Sequence, residues 1–385
     1  MNEIKDNDQI QLCIECAKDI RLKKLISNIG IKGLCTCCEN NEFVIGAESN
    51  EFIQMIKALI RYHFSEWDYN EHWGGDGYIA LIEENFINKE NFKNQDICDE
   101  LMDIIDSFEA YEDSDKGVSI FAGHYDGQQN PLLQAIKTNL DYSITEIAEK
   151  LKTENYFKFE DQITKMLSKY ADCAEMLIKK ETGFYRARTG VEDKKRSVIT
   201  GGFEGQDIFV PFSGTKIGAP PPGIAGIGRL NRAGVTYLYC ATDKYTAISE
   251  IRPHPGDVVS IGKFITNRDL RIFDLTDSQF LNFYQSDKRL REFGKLNTFS
   301  ELMQQVIPPA ERHVYSITQL IADCIRKLDF DGILFASSVG TGENLVVFEP
   351  ELLHYTFEEA EVVEIKEVNY QYFQRECRKD VSEIF

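Results

Sequence analysis

Residues 228–253 read GRLNRAGVTYLYCATDKYTAISEIRP, behind a Gly/Pro-rich loop from Ser213 to Gly228. VTYLYCA is β-branched and aromatic, which reads as a strand. DKYTAISEI follows as a helical pattern. A β-rich run with a helix interleaved predicts a mixed α/β domain. The same stretch places Arg229, Tyr239 and Glu250 at spacings of ten and eleven residues. An arginine, an aromatic and a carboxylate so arranged suit an anionic, ring-bearing ligand.

Outward from this block the β-rich character continues. FYRAR, DVVSIGKF, RIFDL, GILFAS and NLVVF are short runs dominated by Val, Ile, Phe and Tyr, and YSITQLIADCIRKL interleaves as a helix. The domain is expected to occupy residues 181–375. Ahead of it, residues 46–180 read mostly as helix. EFIQMIKALIRYHFSEW, NQDICDELMDIIDSFEAY and the stretch from Pro131 to Lys180 repeat apolar residues every three or four positions. Residues 1–45 form a small cysteine-rich unit. The expectation is a multidomain α+β chain of three parts.

Cys13-x2-Cys16 and Cys35-x2-Cys38 can close a tetrahedral zinc site, each short turn setting two sulfurs on one side of the backbone. Cys37 lies inside the second pair and could replace Cys35 or Cys38. Four thiolates leave no open position, so the ion would be structural. The competing reading is a set of reduced, buried cysteines.

The formal net charge of -20 sets the overall field against nucleic acid. The stretch from Arg186 to Lys263 runs the other way, with eleven Lys/Arg against seven Asp/Glu, which fits a compact anion. No apolar run is long enough for a membrane span. The acidic start, MNEIKDNDQIQLC, does not resemble a signal peptide, so a cytoplasmic location is expected.

Several phrases in order resemble the RES-domain family, NAD-degrading proteins named for an Arg, a Glu and a Ser. They are Phe184-Tyr185-Arg186, Gly228-Arg229-x-Asn231, Tyr239, Glu250 within TAISEIRP, Tyr315-x-x-Thr318-Gln319, Asp331-Gly332-Ile333, Ser337-Ser338 and Asn344-Leu345-Val346-Val347-Phe348. The resemblance implies a fold similar to ADP-ribosyltransferases and NAD as substrate. Glu250 would stabilise the sugar cation formed as nicotinamide leaves, and Arg229 would grip the pyrophosphate. Arg186, on one strand face with Arg188, would be a second anion contact or a nicotinamide-side donor. Tyr239 would stack on nicotinamide or simply fill the core. Asn231 would fix the loop or touch a phosphate, and Ser337 or Ser338 would bond the nicotinamide ribose or carboxamide. Taken alone, Glu250 is also an ordinary solvated glutamate at a helix end.

A zinc-ribbon-like start and a HEPN-like helical segment before a RES domain are similar to one bacterial architecture. Active HEPN ribonucleases carry an Arg followed by a His after four to six residues; none of the histidines here, at 63, 72, 124, 254, 313 and 354, stands in such a pair. The segment is therefore expected to be a scaffold without nuclease chemistry. Three acceptors are open for the ADP-ribosyl group: water, phosphate, or a protein or small molecule. A non-catalytic NAD-binding sensor is the reading from a different class. An NAD-degrading enzyme needs restraint, which implies an inhibitory antitoxin or other regulatory protein, assembly into a homo-oligomer, or inhibition by the helical segment.

Overall fold

The computed structural model describes residues 9–69, 74–107, 133–196, 207–307 and 315–369. His72, His124 and His313 lie outside these residues. At the N-terminus, β1 (Gln11–Cys13), β2 (Ile31–Leu34) and β3 (Asn41–Gly46) form a sheet in the order β1-β3-β2, with α1 (Ile20–Ile29) inserted between the first two strands. Asp19 caps α1 by accepting from the backbone N–H groups of Arg21 and Leu22.

Helices follow: α2 (Asn50–His63), α3 (Glu66–Tyr69), α4 (Tyr78–Asn85), α5 (Gln95–Ser107), α6 (Tyr142–Lys150) and α7 (Glu160–Ser168). The expected long helical stretch ends early. Glu175–Ile178 is a strand, β4, and it pairs antiparallel with a strand some ninety residues later in the chain. A run of three apolar residues looks alike in helix and strand, and here tertiary pairing decides.

The remaining strands are β5 (Gly183–Thr189), β6 (Asp193–Arg196), β7 (Asp207–Val210), β8 (Leu238–Ala241), β9 (Val258–Thr266), β10 (Leu270–Leu275), β11 (Gly332–Ala336), β12 (Glu343–Val347) and β13 (Leu353–Glu364). β6 and β7 form a separate hairpin. The rest join β4 in an eight-stranded sheet, ordered β13-β9-β5-β8-β12-β11-β10-β4. Every neighbouring pair is antiparallel except β10 and β11. That parallel pair needs a crossover, supplied by α9 (Asp287–Gln304) and α10 (Ser316–Lys327), while the short α8 (Lys244–Glu250) follows β8.

The boundary expected at residue 181 thus falls between β4 and β5, two strands of one sheet. Nor does each expected part have its own core. Leu22 and Ile26 of α1, Phe52 and Ile56 of α2, Ile163 of α7, and Phe280, Leu320 and Ile333 of the sheet domain belong to one buried cluster. Polar contacts cross the same seam. Arg21 Nη2 donates to Asp277 at 2.5 Å and to the Tyr62 hydroxyl at 2.8 Å. Lys24 Nζ donates to Ser278 at 3.0 Å. Among the described residues no helix is long and apolar enough to cross a membrane.

Candidate active site

β5 and β8 are neighbours in the sheet but pair at one position only, Tyr185 opposite Ala241. On its other side β5 pairs with β9 at seven consecutive positions. The sheet therefore splits beyond Tyr185, and a cleft of about 500 Å³ opens there, within the size range of small-molecule sites. Its walls include Tyr185, Arg186, Arg229, Tyr239, Cys240, Glu250, Arg252, Tyr315, Ser338 and Asn344. Four residues expected at the ligand, Arg186, Arg229, Tyr239 and Glu250, meet in this cleft.

A split sheet leaves backbone acceptors without ladder partners, and buried acceptors must be satisfied. Arg186 does this. Its Nε donates to the Ile217 carbonyl at 2.8 Å and its Nη1 to the Tyr239 carbonyl at 2.7 Å, bridging the gap. Burial holds its guanidinium below the usual arginine value, though arginine remains a cation under any ordinary condition. Arg188 reaches the Lys216 carbonyl, on the same face of β5.

Arg229 sits on a turn that is tied from three directions. Gly228 N–H donates to the Asn231 carbonyl. From α10, Thr318 Oγ1 donates to the Arg229 carbonyl at 2.5 Å, and Gln319 Nε2 donates to those of Gly228 and Asn231 at 2.9 and 3.1 Å. From β8, the Tyr239 hydroxyl accepts from Leu230 N–H at 3.1 Å and donates to Asn231 Oδ1 at 2.7 Å. The approach is so close that a Cβ at Gly228 would stand 2.2 Å from Asn231 Oδ1, so only glycine fits. The Arg229 guanidinium bonds to the carbonyls of Met303 and Gln305 at the C-terminal end of α9, at 2.5 and 2.8 Å. Carbonyls there have no partner within the helix and attract a cation.

Asn231 does not line the cleft. It is 5% exposed, and its amide nitrogen donates to the carbonyls of Gly226, Arg232 and Val235. Of its two expected roles, it serves the loop. Tyr239 divides its parts: the ring lines the cleft while the hydroxyl locks the turn. Burial pushes that hydroxyl well above the ordinary tyrosine value. Thr318 and Gln319, present in the sequence only as a phrase, prove to be the clamps on the turn.

Glu250 is the last residue of α8. Its Oε1 accepts from Ser337 Oγ at 2.7 Å and from Asn344 Nδ2 at 2.6 Å. Ser337 does not line the cleft; Ser338 does. The loop carrying both serines is held against α8, where Gly342 N–H donates to Thr246 Oγ1 at 2.9 Å. A Cβ at Gly342 would meet Asp243 Oδ2 at 2.0 Å. Asn344, missing from the expected site, both lines the cleft and bonds the carboxylate.

The cleft is cationic apart from Glu250. Arg186 and Arg229 bond to backbone carbonyls, and among the described residues neither they nor Arg252 has a carboxylate partner. Arg252 holds a left-handed backbone at φ 48° two residues past Glu250, a conformation that costs a non-glycine residue about 1 kcal/mol or more and concentrates at functional sites. Cys240, on the cleft wall, is pushed up to about 12 by burial, so no thiolate nucleophile stands there at neutral pH.

A second constellation lies in the N-terminal unit. The sulfurs of Cys13, Cys16, Cys35 and Cys38 are buried and lie within 4.8 Å of one another. Cys13 to Cys38 is 3.6 Å and Cys35 to Cys16 is 3.9 Å. Zn–S bonds of about 2.3 Å would set tetrahedral sulfurs roughly 3.8 Å apart, so the donor set fits such an ion. Cys37 points its sulfur at the Gln11 carbonyl, 3.9 Å away; it also contacts Cys16 and Cys35 but is not one of the four mutually close sulfurs.

Residues 199–366 match the family model of the RES domain. The match takes in Arg229, Asn231, Tyr239, Glu250, Ser337 and Ser338. It begins after Arg186, and it does not touch the HEPN-like reading of the helical segment. Among solved structures, the crystal structure of the M. tuberculosis MbcT–MbcA toxin–antitoxin complex is similar at 13% identity with a TM-score of 0.30, over 52% of this chain and 92% of that one. No curated protein matches the chain.

Proposed function

We propose that this chain, which carries a RES domain over residues 199–366, cleaves NAD at the nicotinamide–ribose bond. One observation carries the reading: among the described residues, a single clamped carboxylate stands in a cleft whose other charged side chains are arginines without carboxylate partners. NAD presents a matching set, a diphosphate and a ribose that becomes cationic as its base departs. Arg229 and Arg186 hold the pyrophosphate, and guanidinium suits that task because its planar fork matches phosphate oxygens. The Tyr239 ring packs on the departing nicotinamide, and Ser338 meets the ribose. Glu250 faces the sugar carbon and stabilises positive charge as the glycosidic bond breaks. Ser337 acts through Glu250.

Free NAD cleavage is damaging to a cell, so the chain works as a toxin or defence effector in the cytoplasm, restrained by an antitoxin or other regulatory partner. The four-cysteine unit, residues 1–45, holds one structural zinc, and residues 46–180 are a scaffold for the catalytic domain.

The test is incubation of the purified chain with NAD, with and without inorganic phosphate, followed by mass spectrometry. The expected products are nicotinamide with ADP-ribose or its phosphorylated form. Glu250→Ala is expected to lower the rate by at least roughly a hundredfold, the size of a principal electrostatic contribution. Intact NAD with the wild type, or wild-type rates from the Glu250 variant, would refute the reading.

A further inference from the structure

We propose that Asn344 is a positioning residue that aims the Glu250 carboxylate; the inference rests on the reading of Glu250 just given. Two side-chain donors converge on one oxygen. Ser337 Oγ and Asn344 Nδ2 lie 2.7 and 2.6 Å from Oε1, and among the described residues Oε2 has no hydrogen-bond partner. The direction of the serine bond is fixed. Its oxygen already accepts from the backbone N–H groups of Val339 at 3.2 Å and Gly340 at 2.8 Å, so its one proton goes to Glu250. The asparagine must donate as well, because its partner is a carboxylate oxygen.

The two donors come from different elements, Asn344 from β12 and Ser337 from the loop after β11. In the ladder Asn344 stands between Phe335 of β11 and Ala241 of β8, in the middle of the sheet. Ser337 follows the last rung of the same β11–β12 pair, Ala336 opposite Glu343. Asparagine is disfavoured in strands. A residue set against its local preference in a cleft wall points to the site rather than to the fold. The terminal torsion of a glutamate is broad and would otherwise let the two oxygens exchange. Binding Oε1 twice removes that freedom and leaves Oε2 as the oxygen offered to a ligand. Ser337 alone would permit rotation about a single bond; Asn344 supplies the second point.

Asn344→Asp tests this because the two side chains have the same shape, while the aspartate replaces a donor with an acceptor. The full chain is used, with kcat and KM for NAD measured between about pH 5 and 8. Asn344→Ala and Asn344→Asp should each lower kcat roughly ten- to a hundredfold at pH 7, the range for a lost hydrogen bond to a charged group. KM should stay within about threefold, since the pyrophosphate contacts are untouched. Asn344→Asp should regain activity as pH falls toward the range where aspartate protonates and can donate again, and Asn344→Ala should not. The β12 ladder is made by backbone groups, so a thermal melt should find both variants folded. The proposal is overturned if both variants keep kcat within about threefold, if the loss falls on KM instead, or if Asn344→Asp and Asn344→Ala share one pH profile. Glu250→Gln, run beside them, separates the two claims. An inactive Glu250 variant with active Asn344 variants sinks only the positioning role; an active Glu250 variant sinks the reading beneath it.

Discussion

Tyr239→Phe removes one oxygen and keeps the ring, so it separates the two jobs of that side chain. The hydroxyl donates to Asn231 Oδ1 at 2.7 Å and accepts from Leu230 N–H at 3.1 Å. Both partners are buried, Asn231 at 5% exposure and Leu230 at 0%. A buried polar group that loses its partner costs about 1–3 kcal/mol. With two groups stranded, the variant should lose about 2–6 kcal/mol if the turn stays closed. If the turn opens instead, water rescues both groups, but Arg229 leaves its place. About 2 kcal/mol spent on closing the turn around substrate corresponds to roughly a thirtyfold fall in kcat/KM. Urea unfolding at constant slope reads the first outcome, and steady-state kinetics with NAD read the second. If stability moves by less than about 0.5 kcal/mol, the size of an ordinary surface change, and kcat/KM holds, then the hydroxyl is idle and Tyr239 acts through its ring alone.

Two further outcomes follow from the N-terminal unit. Metal analysis of the purified chain should return near one zinc, and Cys16→Ser should abolish it, because three thiolates no longer close the tetrahedron; no metal in the wild type would remove the four-thiolate site. Asp19→Asn should make the protein less sensitive to acid. Burial alone would raise this carboxyl, but the bond from His63 and the Arg21 guanidinium outweigh it and hold the group below its ordinary value. A depressed carboxylate lends stability above its unfolded value, about pH 4, and loses it as pH falls through the lower folded value. Asparagine keeps the helix cap but not the charge, so the variant should be less stable at neutral pH by about 1–2 kcal/mol and closer to wild type near pH 3. Parallel unfolding curves at the two pH values would contradict this.

The central strands were legible from the sequence because they are rich in β-branched and aromatic residues, and β10 and β11 are buried almost throughout. FYRAR, RIFDL, GILFAS and NLVVF all fall on strands of the large sheet. β13 was not, since an edge strand can carry Glu358, Glu359, Glu361 and Glu364, and glutamate hides the signal. β4 was lost because its Met, Leu and Ile serve a helix equally well. α9 was also missed; its apolar residues do not form one clear stripe, and the helix is held from several sides. At the site, Arg229, Tyr239 and Glu250 were visible through their spacing. Asn344, Thr318 and Gln319 were not assigned roles. They work through bonds to residues about ninety positions away, and no local pattern announces such a bond.

The seam between α1 and the sheet domain has a consequence for anyone who would dissect the protein. A fragment starting at residue 181 would discard β4, baring the outer edge of β10, and would uncover the face on which Leu22, Ile26, Phe52 and Ile163 now rest. Such a piece would be sticky before it was active, so silence from it would say little about restraint. The informative excision is a side chain, not a segment: Lys24 and the buried Arg21 hold the 3-10 turn after β10, and replacing one of them keeps every strand of the sheet in the chain.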